Sequence, residues 1–193
     1  YRPTLAPHFW RPRGEFDSTD FSNSRFIVPH LQEFKGWAIF MDADMLCLGD
    51  IAELWNQPMR PGKVALAKGG GSWRYCVSLW DCAEARSLFP SVAQLRGDPG
   101  SHNLMVSLFR GRPQLTQAFD GDWNSLDGEG HADLKDGALK ALHYTDMSSQ
   151  PQLRHALPRL AAHGKSHWFN GTVKRHPRPE VEALFDDLLI EAS

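Results

Sequence analysis

The sequence predicts an α/β fold, a mixed sheet with helices packed on its faces. Three observations carry this. Short apolar runs of strand length, WAIFM at 37–41, KVALAK at 63–68 and YCVSLW at 75–80, alternate with helix starts. Two of those starts have the form Asp-x-x-Glu, Asp50 with Glu53 and Asp81 with Glu84, a variant of the capping box. The last segment places Val181, Leu184, Phe185, Leu188 and Leu189 at i, i+3, i+4, i+7 and i+8, the apolar stripe of an amphipathic helix.

Size and composition bound what the chain can be. Its 193 residues, 41% hydrophobic and 23% charged, fit one globular domain over 1–193, with 152–193 a helical C-terminal extension. A net charge of -2 gives no electrostatic case for nucleic acid or an anionic membrane as partner. No apolar run is long enough for a transmembrane segment. Cys47, Cys76 and Cys82 form an odd set without Cys-x-x-Cys spacing, which argues against a disulfide framework or a zinc cluster. A reducing compartment follows, and a cytoplasmic location is expected. The opening residues lack both an initiator Met and a signal-peptide pattern, as in a processed or partial sequence.

Taken in order, residues 1–17 are rich in Pro, Arg and aromatics and read as irregular. Asp17 or Ser18 caps a helix towards Leu31, bent or ended by Pro29. The strand at 37–41 follows, then Asp42-Ala43-Asp44 and a short helix to Trp55, closed by Pro58 and Pro61-Gly62. After the strands at 63–68 and 75–80, which flank a Gly69-Gly70-Gly71 loop, helices are expected from Asp81 to about Phe89 and from Ser91 to Arg96. The stretch 102–109 is apolar without a clear period, so helix and strand stay open there. Residues 119–124 read as a polar loop around a buried aromatic, 139–144 as a strand and 153–162 as a helix.

The chemistry concentrates at the end of the first strand. Asp42 and Asp44 stand at i and i+2, and carboxylates held that close repel unless a cation or hydrogen bonds neutralise them. Carboxylate oxygens at a strand end suit a hard divalent cation and a phosphate carried by it. The competing reading is a solvated strand end whose Asp caps the next turn. His143 ends a later strand, and an imidazole added to two carboxylates shifts preference from Mg²⁺ towards Mn²⁺. Asp120 and Asp122, beside Trp123-Asn124, suit either sugar hydroxyls or an Asx-rich turn. The seven Trp offer either sugar-stacking faces or core rings.

The stretch WAIFMDADMLCLGDIAELW resembles the Asp-x-Asp region of the retaining glycosyltransferases of family eight, in a bacterial form. Ser22 to Pro29 resembles the helix that precedes that motif, Trp123-Asn124 a later Trp-Asn, and His143-Tyr144-Thr145 the family's His-Phe-Thr. The motifs keep the family's order over roughly 18–151. This resemblance implies a GT-A-like (Rossmann-like) mixed sheet, with Asp42, Asp44 and His143 holding Mn²⁺ (or Mg²⁺). It implies donor contacts at Arg25, Asp42, Ala43, Asp44 and Gln150, and sugar or acceptor contacts at Asp122, Trp123 and Asn124. The implied partners are a nucleotide-sugar donor and a saccharide or glycoconjugate acceptor, with anomeric configuration retained. No catalytic nucleophile is nominated.

The chain departs from the family in three places. Only a short Pro-rich segment precedes the matched helix, so an N-terminally truncated nucleotide-binding unit is expected. Gln150 stands where the family has a Lys that pairs with the diphosphate. The stretch 69–122 matches loosely, which leaves the donor sugar and the acceptor open. Two rival readings remain. A haloacid-dehalogenase-type phosphatase also places Asp-x-Asp after an apolar strand, with Asp42 as nucleophile, but it explains neither Trp123-Asn124 nor His143-Tyr144-Thr145. A truncated relative would bind a sugar or a partner without turnover.

Overall fold

The computed structural model describes residues 22–70, 72–130, 134, 136–167 and 169–192. The expected irregular segment 1–17, the helix cap at Asp17 or Ser18 and Gly71 lie outside them. The fold is α/β, with mixed sheets flanked by helices. Its contacts divide into two compact units, one of residues up to Met41 and Ala52–Asp120, the other of Asp42–Ile51 and Gly121–Ser193.

The first unit carries a four-stranded sheet in the order β1-β4-β3-β5. Its strands are β1 (Trp37–Met41), β3 (Ala65–Lys68), β4 (Arg74–Asp81) and β5 (Thr116–Ala118). β4 pairs antiparallel with β1 and β3, and β3 pairs parallel with β5, so the sheet is mixed. Register runs from Trp37 opposite Asp81 to Met41 opposite Val77. Around the sheet lie α1 (Ser24–Leu31), α3 (Cys82–Ala85), α4 (Val92–Gly97) and α5 (Ser101–Gly111).

Local chemistry explains these helix boundaries. Asp81 ends β4 and caps α3 by accepting from the backbone N–H of Ala83 and Glu84. That helix stops at Ala85, short of the expected Phe89. Ser91 and Gln94 form a reciprocal capping box at the start of α4. The undecided stretch 102–109 is helical and buries Met105 and Phe109, one turn apart. The core is an aromatic knot. Trp80, fully buried, stacks on Tyr75 at 5.6 Å and meets Phe89 and Phe109 edge-on at 5.6 and 5.7 Å. The Tyr75 hydroxyl shares a 2.6 Å hydrogen bond with Thr116 Oγ1, and burial pushes its pKa up to about 12.

In the second unit β7 (Ala141–His143) lies between β2 (Met45–Cys47) and β6 (Ser125–Leu126). β2 runs antiparallel to β7, with Met45 opposite His143, and β6 runs parallel, with Leu126 opposite His143. Residues 152–193, expected as an extension, belong to this unit. They include most of α6 (Pro151–Ala162) and all of α7 (Pro179–Glu191); α2 (Ile51–Trp55) begins where the chain leaves the unit. The stripe of α7 supplies Val181 and Leu184 to a core with Leu139, Leu142 and Tyr144; Leu189 stays exposed. Charges join α6 to α7: Arg154 reaches Glu182 at 2.5 Å and Asp186 at 3.3 Å.

Candidate metal centre

β1 ends at Met41, and Asp42 to Asp44 form the link to β2. Two contacts of the β2–β7 pairing fix this link. The carbonyl of Asp44 accepts the Tyr144 N–H at 3.0 Å, and Met45 pairs with His143. The turn therefore meets the end of β7, which carries His143. His143 Nε2 lies 3.4 Å from Asp44 Oδ1, and a carboxylate oxygen of Asp42 lies within 4.8 Å of a His143 ring nitrogen. The side chain of Asp44 is 33% exposed and that of His143 11%, so both reach the surface while partly shielded. Ala43, between the carboxylates, is exposed.

The electrostatics keep Asp44 anionic. Burial opposes its ionisation, but the hydrogen bond and charge of His143 and the hydrogen bond from Gln150 outweigh it, so its carboxyl sits below the usual carboxylate value. Gln150, 2% exposed, donates from Nε2 to Asp44 Oδ2 at 3.0 Å and to the Tyr144 carbonyl at 2.7 Å. Its own carbonyl accepts from Gln152 Nε2 at 3.0 Å. Two carboxylates and an imidazole on converging segments are a donor set that fits a divalent cation of the Mn²⁺ type.

The remaining predicted residues fall into distinct settings. Arg25 belongs to α1 of the first unit; its guanidinium lies 5.6 Å over the Phe40 ring, with Nη1 3.8 Å from Cys76 Sγ. Trp123 is 1% exposed. Its indole is hemmed in by Gly49 and Gly121, where an added Cβ would stand 3.3 Å from the ring, so the ring packs within the unit. Asp122 forms an isolated bridge with Leu139, and its carbonyl accepts from the N–H of Lys140 and Ala141. Asn124 is wholly buried, and neither atom of its amide has a hydrogen-bond partner among the described residues. Trp168 lies outside the described residues.

Sequence reasoning missed Asp127. Its N–H donates to the His143 carbonyl at 2.9 Å. Its carboxylate accepts from Thr145 Oγ1 at 2.7 Å, from Thr145 N at 3.2 Å and from His176 Nε2 at 3.1 Å. His176 Nδ1 lies 3.0 Å from both the N–H and the carbonyl of Arg178, while its Nε2 faces the Asp127 carboxylate. The Tyr144 hydroxyl donates to the Val181 carbonyl at 3.0 Å. The strand end bearing His143 is thus anchored to the segment that starts α7. In sequence, Asp127-Gly128 reads only as a turn.

No family model matches the chain. A stretch of 46 residues is 56% identical to Protein CDI of Arabidopsis thaliana, and the match spans 24% of this chain and 18% of that protein. Among solved structures, the chain is similar to mouse xyloside xylosyltransferase 1 in its apo form, with TM-score 0.45 and 15% identity, covering 75% of this chain and 70% of that one. It is also similar to the galactosyltransferase LgtC in complex with donor and acceptor sugar analogs, with TM-score 0.46 and 12% identity, covering 69% and 60%. No helix among the described residues is long and apolar enough to cross a membrane.

Proposed function

We propose that this chain is a metal-dependent glycosyltransferase that moves a sugar from a nucleotide-sugar donor to a saccharide or glycoconjugate acceptor with retention. The observation that carries the reading is that His143 faces Asp44 at 3.4 Å and has a carboxylate oxygen of Asp42 within 4.8 Å, in the order and residue types of the motif set that the sequence resembles. Asp42, Asp44 and His143 would hold Mn²⁺ (or Mg²⁺). When bound, such an ion supplies positive charge against the charge that builds on a departing nucleoside diphosphate. Asp44 arrives already anionic, so a cation need not displace its proton. Ala43, exposed between the two carboxylates, leaves the backbone of the turn open to a bound diphosphate. Of the expected sugar or acceptor contacts Asp122, Trp123 and Asn124, Asp122 is the one that reaches the surface and is kept on the sugar side; Trp123 and Asn124 are buried and would support it from within the unit.

The test is titration calorimetry with uridine and guanosine diphosphate, with and without Mn²⁺. Binding that needs the metal, and that D42N and D44N each weaken at least tenfold, is the expected result. Binding indifferent to Mn²⁺, or a phosphatase turnover abolished by D42N without nucleotide binding, would overturn it.

A further inference from the structure

Gln150 has a job that its neutral side chain does not advertise. A primary amide offers two N–H donors and one carbonyl acceptor. Both donors are already engaged, one by Asp44 Oδ2 at 3.0 Å and the other by the Tyr144 carbonyl at 2.7 Å, and Gln152 engages the carbonyl at 3.0 Å. The residue is 2% exposed. No donor is left to turn towards a phosphate.

The same NH₂ group spans two segments 106 positions apart in one case and six in the other. One is the turn bearing Asp44; the other is Tyr144, the residue after His143. Gln150 therefore sets the distance between a carboxylate and an imidazole that face each other at 3.4 Å. Its backbone is a firm base for this. Gln150 is the N-cap of α6 with φ -65 and ψ 119, and Pro151 at the first helical position holds the preceding residue in that extended conformation. With Oδ2 of Asp44 held by Gln150, Oδ1 is the oxygen turned to His143.

We propose that Gln150 is a positioning residue: it holds Asp44 by one oxygen, presents the other beside His143 for a divalent cation, and makes no contact of its own with the donor phosphates. This rests on the proposed metal site and replaces the expectation that Gln150 touches the donor. Groups that orient metal ligands typically change metal affinity by about 10–100-fold when removed.

The experiment measures Mn²⁺ binding by the electron paramagnetic resonance signal of the free ion. It also measures uridine diphosphate affinity at saturating Mn²⁺, in the unsubstituted chain, in Gln150→Met and in Gln152→Ala. Gln150→Met keeps the length and volume and removes both donors. The expected result is Mn²⁺ affinity weakened about 10–100-fold in Gln150→Met, and less in Gln152→Ala, with nucleotide affinity at saturating metal unchanged within about twofold. A purely structural role would lower the melting temperature and leave the metal affinity alone, which overturns the proposal. So does unchanged metal affinity with weakened nucleotide binding, which would make Gln150 a direct donor contact. If the unsubstituted chain binds no Mn²⁺, the glycosyltransferase reading falls and this inference with it. If it binds Mn²⁺ and Gln150→Met binds equally well, only this inference falls. Should Gln150→Met fail to fold, Gln152→Ala carries the test, because it frees the amide that Gln152 orients; unchanged Mn²⁺ affinity there would then overturn the proposal.

Discussion

Replacing Asp127 by Ala removes one carboxylate from three donors at once. Two of them, the N–H and hydroxyl of Thr145, belong to an exposed residue and can turn to water, at a net cost of about 0.5–1 kcal/mol each. The third is different. The side chains of His176 and Asp127 are 3% and 6% exposed, so the Nε2 proton would be buried with its acceptor gone, at about 1–3 kcal/mol. The sum is about 2–5 kcal/mol, a large part of the 5–15 kcal/mol that stabilises a typical domain. The assay is urea unfolding of the unsubstituted chain, Asp127→Ala, His176→Ala and the double variant, followed by far-ultraviolet circular dichroism and by amide exchange at Tyr144 and Thr145. The Asp127–His176 coupling from this cycle should be about 1–3 kcal/mol, and exchange at Tyr144 should quicken in Asp127→Ala. A coupling below about 0.5 kcal/mol would refute the reasoning, because a buried pair in real contact cannot be additive.

Two further outcomes follow from the geometry. Gly121 has φ +82, and a Cβ there would stand 3.3 Å from Trp123 Nε1. Gly121→Ala should therefore cost about 1–3 kcal/mol of unfolding free energy, through left-handed strain plus the push on the indole; a change near zero would mean that the turn relaxes freely. Tyr75, raised to about 12, favours its protonated form when folded. Its contribution is fully present below the ordinary tyrosine pKa of about 10 and is lost as pH rises towards 12, by about 3 kcal/mol in all. Stability measured from pH 9 to 12 should fall more steeply in the unsubstituted chain than in Tyr75→Phe, and parallel curves would sink the assignment.

Local signals made much of this fold legible. The apolar run 37–41, the Asp81 cap, the Ser91 start and the α7 stripe each depend on residues close in sequence, and each yields an element where expected. β2, β5 and β6 were not legible. They are two or three residues long and have no period of their own, and their ladders exist only because β7 or β3 lies beside them. The same limit governs the candidate site. The motif order pointed to Asp42, Asp44 and His143, but nothing local ties Asp127 to Thr145 and His176. Nor does anything local show that the amide of Gln150 is already engaged with Asp44. The indole of Trp123, open in sequence to either sugar or core, turns inward because two glycines let it approach the backbone.

The path of the chain also sets a schedule. The first unit surrenders ten residues, Asp42–Ile51, to the second and resumes at Ala52. Its own sheet is complete once Ala118 has been made. β2, which follows the carboxylate turn, is paired with β7 among the described residues. On a ribosome adding about 5–20 residues per second, Asp42 and Asp44 therefore wait on the order of 5–20 seconds for the strand that carries His143. During that interval β2 waits without the strand it pairs with. The proposed cation site is thus among the last features to be assembled, and chains truncated between residues 120 and 142, which lack His143, should bind Mn²⁺ more weakly than the full chain.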